Sequence, residues 1–185
     1  MRTFIAIELE ESLKQNLIDF IKEIDPGNKS IRWVKPDGMH LTLKFLGEIN
    51  QEKTEKVKAH LREVFKTFAP FMIRFTGTGT FPHNSRHPRV LWMGAEAHPT
   101  IFNLQNAIEE EMTKLQFKRE KRKFFPHLTL GRVKFQKGIA PVLDKLNSRK
   151  NHNFGEMEIN KITLFQSSLK PSGAEYNPLE EYKLQ

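Results

Sequence analysis

His40-Leu41-Thr42-Leu43 recurs letter for letter as His127-Leu128-Thr129-Leu130. Successive side chains of a β-strand point to opposite faces, so each copy sets His and Thr on one face and two leucines on the other. One copy alone reads as an ordinary half-buried strand whose polar residues meet water. An identical second copy favours a joint role: two imidazoles and two hydroxyls on leucine-backed strands make one site if the copies face each other. The competing geometry sets the copies at opposite ends, with no shared site.

Working outward, the flanking sequence reads as alternating strands and helices. Thr3 to Leu9 is rich in β-formers. Leu13, Leu17, Phe20, Ile21 and Ile24 form a helical stripe over 11–24, which Pro26-Gly27 stops. Ile31 to Val34 is a short strand, Pro36-Asp37-Gly38 a turn, and Met39 to Leu46 the first motif strand. Val57, Leu61, Val64, Phe65 and Phe68 mark a second helix over 51–68. Phe71 to Thr80 alternates like a strand, and 81–88 reads as a loop whose neighbouring glycines lack the Gly-Lys-Ser/Thr of a P-loop.

Arg89 to Gly94 is the next strand, and Pro99 opens a helix with Ile101, Leu104, Ile108, Met112 and Leu115 inward. The second motif strand begins near His127, and a shorter helix spans 139–146. A strand from Met157 to Ser168, a turn at 170–173 and a weaker strand from Tyr176 to Leu184 complete the chain.

The two motif histidines are 87 positions apart, and the same displacement carries Thr3 onto Val90, Leu17 onto Leu104, Ile21 onto Ile108 and Gln51 onto Gly138. The order strand, helix, motif strand, helix therefore occurs twice. Such a repeat packs naturally about a pseudo-twofold axis. The expectation is one domain, 1–185, with pseudo-repeats of about 1–88 and 89–185.

Bulk properties set further bounds. The chain of 185 residues is long enough to bury a sizeable core. It contains no cysteine, which excludes disulfides and thiolate metal sites and suits a reducing cytoplasm. The apolar run Phe4 to Ile7 is cut by Glu8 and is too short for a signal peptide or a membrane span. Lys and Arg total 30 against 22 Asp and Glu, a net charge of +8 that favours anionic partners such as nucleic acid. The densest basic run, 118–123, ends just before His127; it reads as a solvated surface, or as a track that steers phosphates to the motif.

Two imidazoles across a cleft suit acid–base chemistry, because histidine titrates near neutral pH. Hydroxyls on the same faces suit the non-bridging oxygens of a phosphate. A phosphodiester fits, since its cleavage needs one proton taken and one given. A metal would need a third ligand, and the motif offers Thr and Leu instead. A phosphohistidine intermediate leaves the second threonine without a purpose.

Two His-x-Thr-x motifs on duplicated halves resemble the 2H phosphoesterase superfamily. The flanks Arg32-Trp33-Val34, Lys44-Phe45-Leu46-Gly47, Pro88-Arg89-Val90-Leu91-Trp92, Phe125-Pro126 and Gly131-Arg132 resemble its RNA 2',3'-cyclic phosphodiesterase branch, also called 2'-5' RNA ligase. The resemblance implies a bilobal α+β fold with an antiparallel sheet in each lobe, helices outside and a central cleft. It also implies metal-independent opening of an RNA 2',3'-cyclic phosphate to a 2'-phosphate, with no cofactor. By position His40 matches the proton donor and His127 the proton acceptor, although the symmetry of the sequence leaves the roles open. Thr42, Thr129 and Arg132 match phosphate-binding residues, and Phe45 matches an aromatic near the terminal base.

The partners so implied are RNA with a cyclic phosphate end or cyclic nucleotides, bound by a monomer with no membrane contact. Arg132 shares the parity of Leu128 and Leu130, so a regular strand turns it away from His127; a bulge or strand end at Gly131 relieves this. Phe45, Trp33 and Trp92 read as core residues, with base stacking as the alternative. His60, His83, His87, His98 and His152 need no functional explanation. Ligation through the same residues, or a cleft that holds nucleotide without turnover, are the competing functions.

Overall fold

A computed structural model describes all residues except Pro26, Asn84, Ala97, Pro171 and Ser172, and the described residues form nine strands and four helices. The strands are β1 (Arg2–Glu8), β2 (Ile31–Trp33), β3 (His40–Glu48), β4 (Phe71–Phe81), β5 (Val90–Ala95), β6 (His127–Val133), β7 (Asn153–Ile159), β8 (Lys161–Lys170) and β9 (Gly173–Lys183). The helices are α1 (Glu11–Ile24), α2 (Gln51–Phe65), α3 (Pro99–Lys114) and α4 (Ala140–Ser148), with a 3-10 turn at Pro36–Gly38.

The helices follow their stripes. Leu13, Leu17, Phe20 and Ile24 of α1 are buried, and α1 closes where the Asp25 N–H bonds the Ile21 carbonyl. The expected stop at Pro26 lies outside the described residues, as do the middle two residues of the expected turn at 170–173. The Asn50 side chain caps α2 by accepting from the Lys53 N–H, which holds one of the amides that a helix start leaves unpaired. Helix α2 ends at Phe65, short of the expected Phe68.

Two antiparallel sheets divide the strands. The first has the order β3-β1-β8-β9 and the second β2-β6-β5-β4-β7. Each sheet mixes the two sequence halves: β8 and β9 join β1 and β3, whereas β4 and β2 join β5 and β6. The single strand expected over 157–168 is in fact two, because the chain leaves the second sheet with β7 and enters the first with β8 across Asn160. The sequence hides such a switch, because apolar residues recur on both sides of Asn160-Lys161 and both strands bury them. Phe81 belongs to β4 rather than to the loop after it.

Leu41, Leu43, Ile5 and Ile7 of the first sheet share one continuous core with Leu91, Met93, Leu128 and Leu130 of the second and with Leu17, Leu61, Leu104 and Leu146 of the helices. The leucines of both motifs thus anchor their strands, and this leaves the His and Thr faces turned away from the core. Strands β3 and β6 lie against each other, one from each sheet. Among the described residues no helix is long and apolar enough to cross a membrane.

Candidate active site

Both motif strands carry the same irregularity. In β3, Thr42 pairs with Ala6 and Lys44 with Ile5, so Leu43 is an extra residue without a partner. In β6, Thr129 pairs with Trp92 and Gly131 with Leu91, so Leu130 is the extra one. A bulge adds a residue and reverses the alternation beyond it. Phe45, opposite Phe4, and Arg132, opposite Val90, therefore rejoin the faces of His40 and His127. The bulge expected at Gly131 is present one residue earlier, at Leu130, and it returns Arg132 to the His127 face.

Phe45 is likewise not a core residue: it is 67% exposed and its ring lies 5.9 Å from that of Phe4. The overlay of Thr3 on Val90 is also one residue out, because the pairing makes Phe4 the counterpart of Val90.

His40 is half-buried among rings. Phe4 lies 4.7 Å away, Tyr176 meets it edge-on at 5.0 Å and Phe165 stacks at 5.9 Å. Burial pushes the His40 imidazole down to about 4, because an apolar surround disfavours the cation.

His127 has a different surround. Phe81 meets it edge-on at 5.0 Å and Phe125 lies 5.8 Å away. Its Nδ1 donates to the Phe125 carbonyl at 2.7 Å, and only a protonated Nδ1 can do so. In the neutral ring this leaves Nε2 as a free acceptor. Burial lowers its pKa, the Phe125 carbonyl works against that, and the Arg132 charge lowers it further. The influence of Arg132 agrees with its return to this face.

Thr42 and Thr129 are half-buried, and among the described residues neither hydroxyl makes a hydrogen bond within the protein. Two surface hollows, of about 210 and 310 Å3, are not lined by either motif histidine. Among the described residues no group of three or more His, Asp or Glu side chains is placed to hold a metal.

Several neighbours escaped the sequence reading. Phe4, Phe165 and Tyr176 come to His40 from β1, β8 and β9, and no local pattern in those strands marks them. His83 joins Phe81, Trp92 and Phe125 beside His127, at 4.8, 6.0 and 6.0 Å. Trp92 is buried on the site face, and Trp33 packs on the core with its Nε1 donating to Asp25. Of the remaining histidines, His60 bonds Glu111, His98 caps α3 and His152 packs on Phe154.

Behind the site, Lys44 turns inward at the bulge and pairs with Glu109 of α3 at 2.7 Å, with side chains only 4% and 5% exposed. The same ammonium donates to the Lys118 carbonyl, and Glu109 accepts from the Glu120 N–H. This buried pair ties the first motif strand to α3 and to the segment that runs into His127.

The sequence model of the 2'-5' RNA ligase superfamily matches residues 14–170. A protein of Archaeoglobus fulgidus named RNA 2',3'-cyclic phosphodiesterase is 38% identical over 184 residues, covering 99% of this chain and all of that protein. One of the same name from Methanocaldococcus jannaschii is 35% identical over 98% of this chain and all of its own. The crystal structure of the Thermus thermophilus protein TT0787 superimposes with a TM-score of 0.85 at 30% identity, covering 100% of this chain and 98% of that one. The paired motifs, the bilobal α+β fold and these full-length likenesses agree that the chain belongs to the 2'-5' RNA ligase superfamily of 2H phosphoesterases.

Proposed function

We propose that this protein hydrolyses the 2',3'-cyclic phosphate at an RNA 3' end to a 2'-phosphate, with His127 as proton acceptor and His40 as proton donor. The observation that carries the assignment is the bond from His127 Nδ1 to the Phe125 carbonyl, which orients Nε2 as a base. The names of the full-length relatives support the substrate class.

Water gives a proton to His127 Nε2 as its oxygen attacks phosphorus. The bond from phosphorus to the 3' oxygen breaks, and that oxygen takes a proton from His40. Thr42 and Thr129 donate to the non-bridging oxygens, where charge builds in the transition state. The low pKa of free His40 suits a donor only with substrate in place: an anionic phosphate beside the ring raises its pKa and loads it with the proton. Arg132 adds a fixed positive charge on the His127 side. No step needs a metal or cofactor.

The test is hydrolysis of a cyclic-ended oligoribonucleotide in the presence of EDTA, with the phosphate position of the product determined. A 2'-phosphate product, lost in His40→Ala and His127→Ala, supports the reading. Activity that stops with EDTA, or that survives both substitutions, overturns the mechanism.

A further inference from the structure

Arg32 of β2 and Arg132 of β6 stand directly opposite each other. The bonds from Val34 N–H to the Leu130 carbonyl (2.8 Å) and from Lys134 N–H to the Ser30 carbonyl (2.7 Å) lie two residues to either side. The arginines are thus a hydrogen-bonded antiparallel pair, with Cα atoms about 5.5 Å apart and side chains on one side of the sheet. Both are exposed, and among the described residues neither guanidinium has an ion pair or a hydrogen bond. Like charges directly opposite each other destabilise a sheet. Here they do so on a strand of three residues, which has little pairing to offset the cost.

The pair also faces the site. Ile31 and Val133, next to the arginines on each strand, turn to the core, so the arginines turn the other way. The bulge at Leu130 makes this the face of His127 and Thr129, and the Arg132 charge is felt at His127. Along β6 the polar face thus runs His127, Thr129, Arg132, with Arg32 beside the last. Arg132 lies three residues beyond Thr129, on the order of 10 Å along the strand. That separates two adjoining phosphates once the reach of the side chain is included.

We propose that Arg32 and Arg132 form a second phosphate site, which holds the internucleotide phosphate on the 5' side of the terminal nucleotide. Two planar donor forks suit the two free oxygens of a phosphodiester, and the bound anion relieves the repulsion between the two cations. The site selects the end of an RNA chain over a mononucleotide. The inference rests on the proposed function, with the cyclic phosphate lying at Thr129.

The experiment compares a cyclic-ended mononucleotide, a cyclic-ended dinucleotide and the same dinucleotide with a neutral methylphosphonate linkage, on the wild-type protein and Arg32→Gln. The site predicts that Arg32→Gln raises the KM for the charged dinucleotide about tenfold more than that for the mononucleotide, the scale of one lost hydrogen-bonded charge pair. The neutral linkage raises the KM of the wild type by at least a similar factor and that of Arg32→Gln by less, since only Arg132 is left to lose a charged partner. Removing a like charge leaves the melting temperature of Arg32→Gln equal to or above that of the wild type, which sets misfolding apart. An equal rise in KM for all three substrates, or none for any, overturns the site.

If the wild type turns over none of them, the proposed function fails. The site is then judged by the anisotropy of a labelled oligoribonucleotide: about tenfold weaker binding by Arg32→Gln supports it, and equal binding overturns it.

Discussion

Leu43 and Leu130 hold the same place in the two halves of the molecule: each is the unpaired residue of a β-bulge three positions after a motif histidine. Both leucines are buried, and both bulges return the residue two places on to the histidine face. The two halves then use that position differently, for an exposed phenylalanine at 45 and for an arginine at 132.

The bulge in β6 has little room to change. A Cβ on Gly131 would lie 2.9 Å from both Ile31 Cγ2 and Trp33 Cε3. Gly131→Val is expected to destabilise the protein by about 1–3 kcal/mol, through overpacking under β2. Urea unfolding measures this, and a wild-type midpoint contradicts it.

The buried pair of Lys44 and Glu109 predicts an asymmetric double-mutant cycle. Lys44→Met alone or Glu109→Leu alone leaves an uncompensated buried charge and is expected to cost about 3–5 kcal/mol. The double substitution is expected to recover most of that loss, because neither charge remains to be solvated. Additive losses in denaturant unfolding contradict the reading.

His40 gives stability a pH dependence of definite sign. Its pKa in the folded protein is about 4 against an ordinary 6.5, so between these values the unfolded chain binds a proton that the folded chain does not. The stability tied to neutral His40 is complete above pH 6.5 and is lost as the pH falls toward 4, by up to about 3 kcal/mol. His127 shifts in the same direction. His40→Asn is expected to flatten the difference in melting temperature between pH 7 and pH 4, and an unchanged slope contradicts the assignment.

The proposed mechanism separates the two histidines in a different way. His127→Asn keeps a side chain of polar character without a base, and is expected to lower kcat on a cyclic-ended oligonucleotide about 10²- to 10⁴-fold. Proton NMR of the His40 ring is expected to show its pKa rising when a 2'-nucleotide binds. A His40 pKa that stays near 4 with product bound removes it as the donor.

The basic run 118–123 allows a simpler check. Replacing Lys121 and Lys123 by Gln is expected to flatten the salt dependence of oligonucleotide binding, since each phosphate contact adds about one to the slope. An unchanged slope marks the run as ordinary surface.

Much of this was legible in the chain alone. The period of two in His-Leu-Thr-Leu set which side chains bury and the helical stripes at Leu17 and Leu104 set two long helices, while the exact repetition gives the expectation of a shared site on which the proposed mechanism rests. These are local consequences of strand and helix geometry. The exchange of strands between the sheets, the aromatic surround of His40 and the return of Phe45 and Arg132 to the polar faces were decided only in the tertiary structure. The physical reason is that pairing depends on the partner strand. Whether Leu130 is one more step of a regular alternation or the extra residue of a bulge is determined by how Leu91 and Trp92 meet it, and those residues lie far away in the sequence.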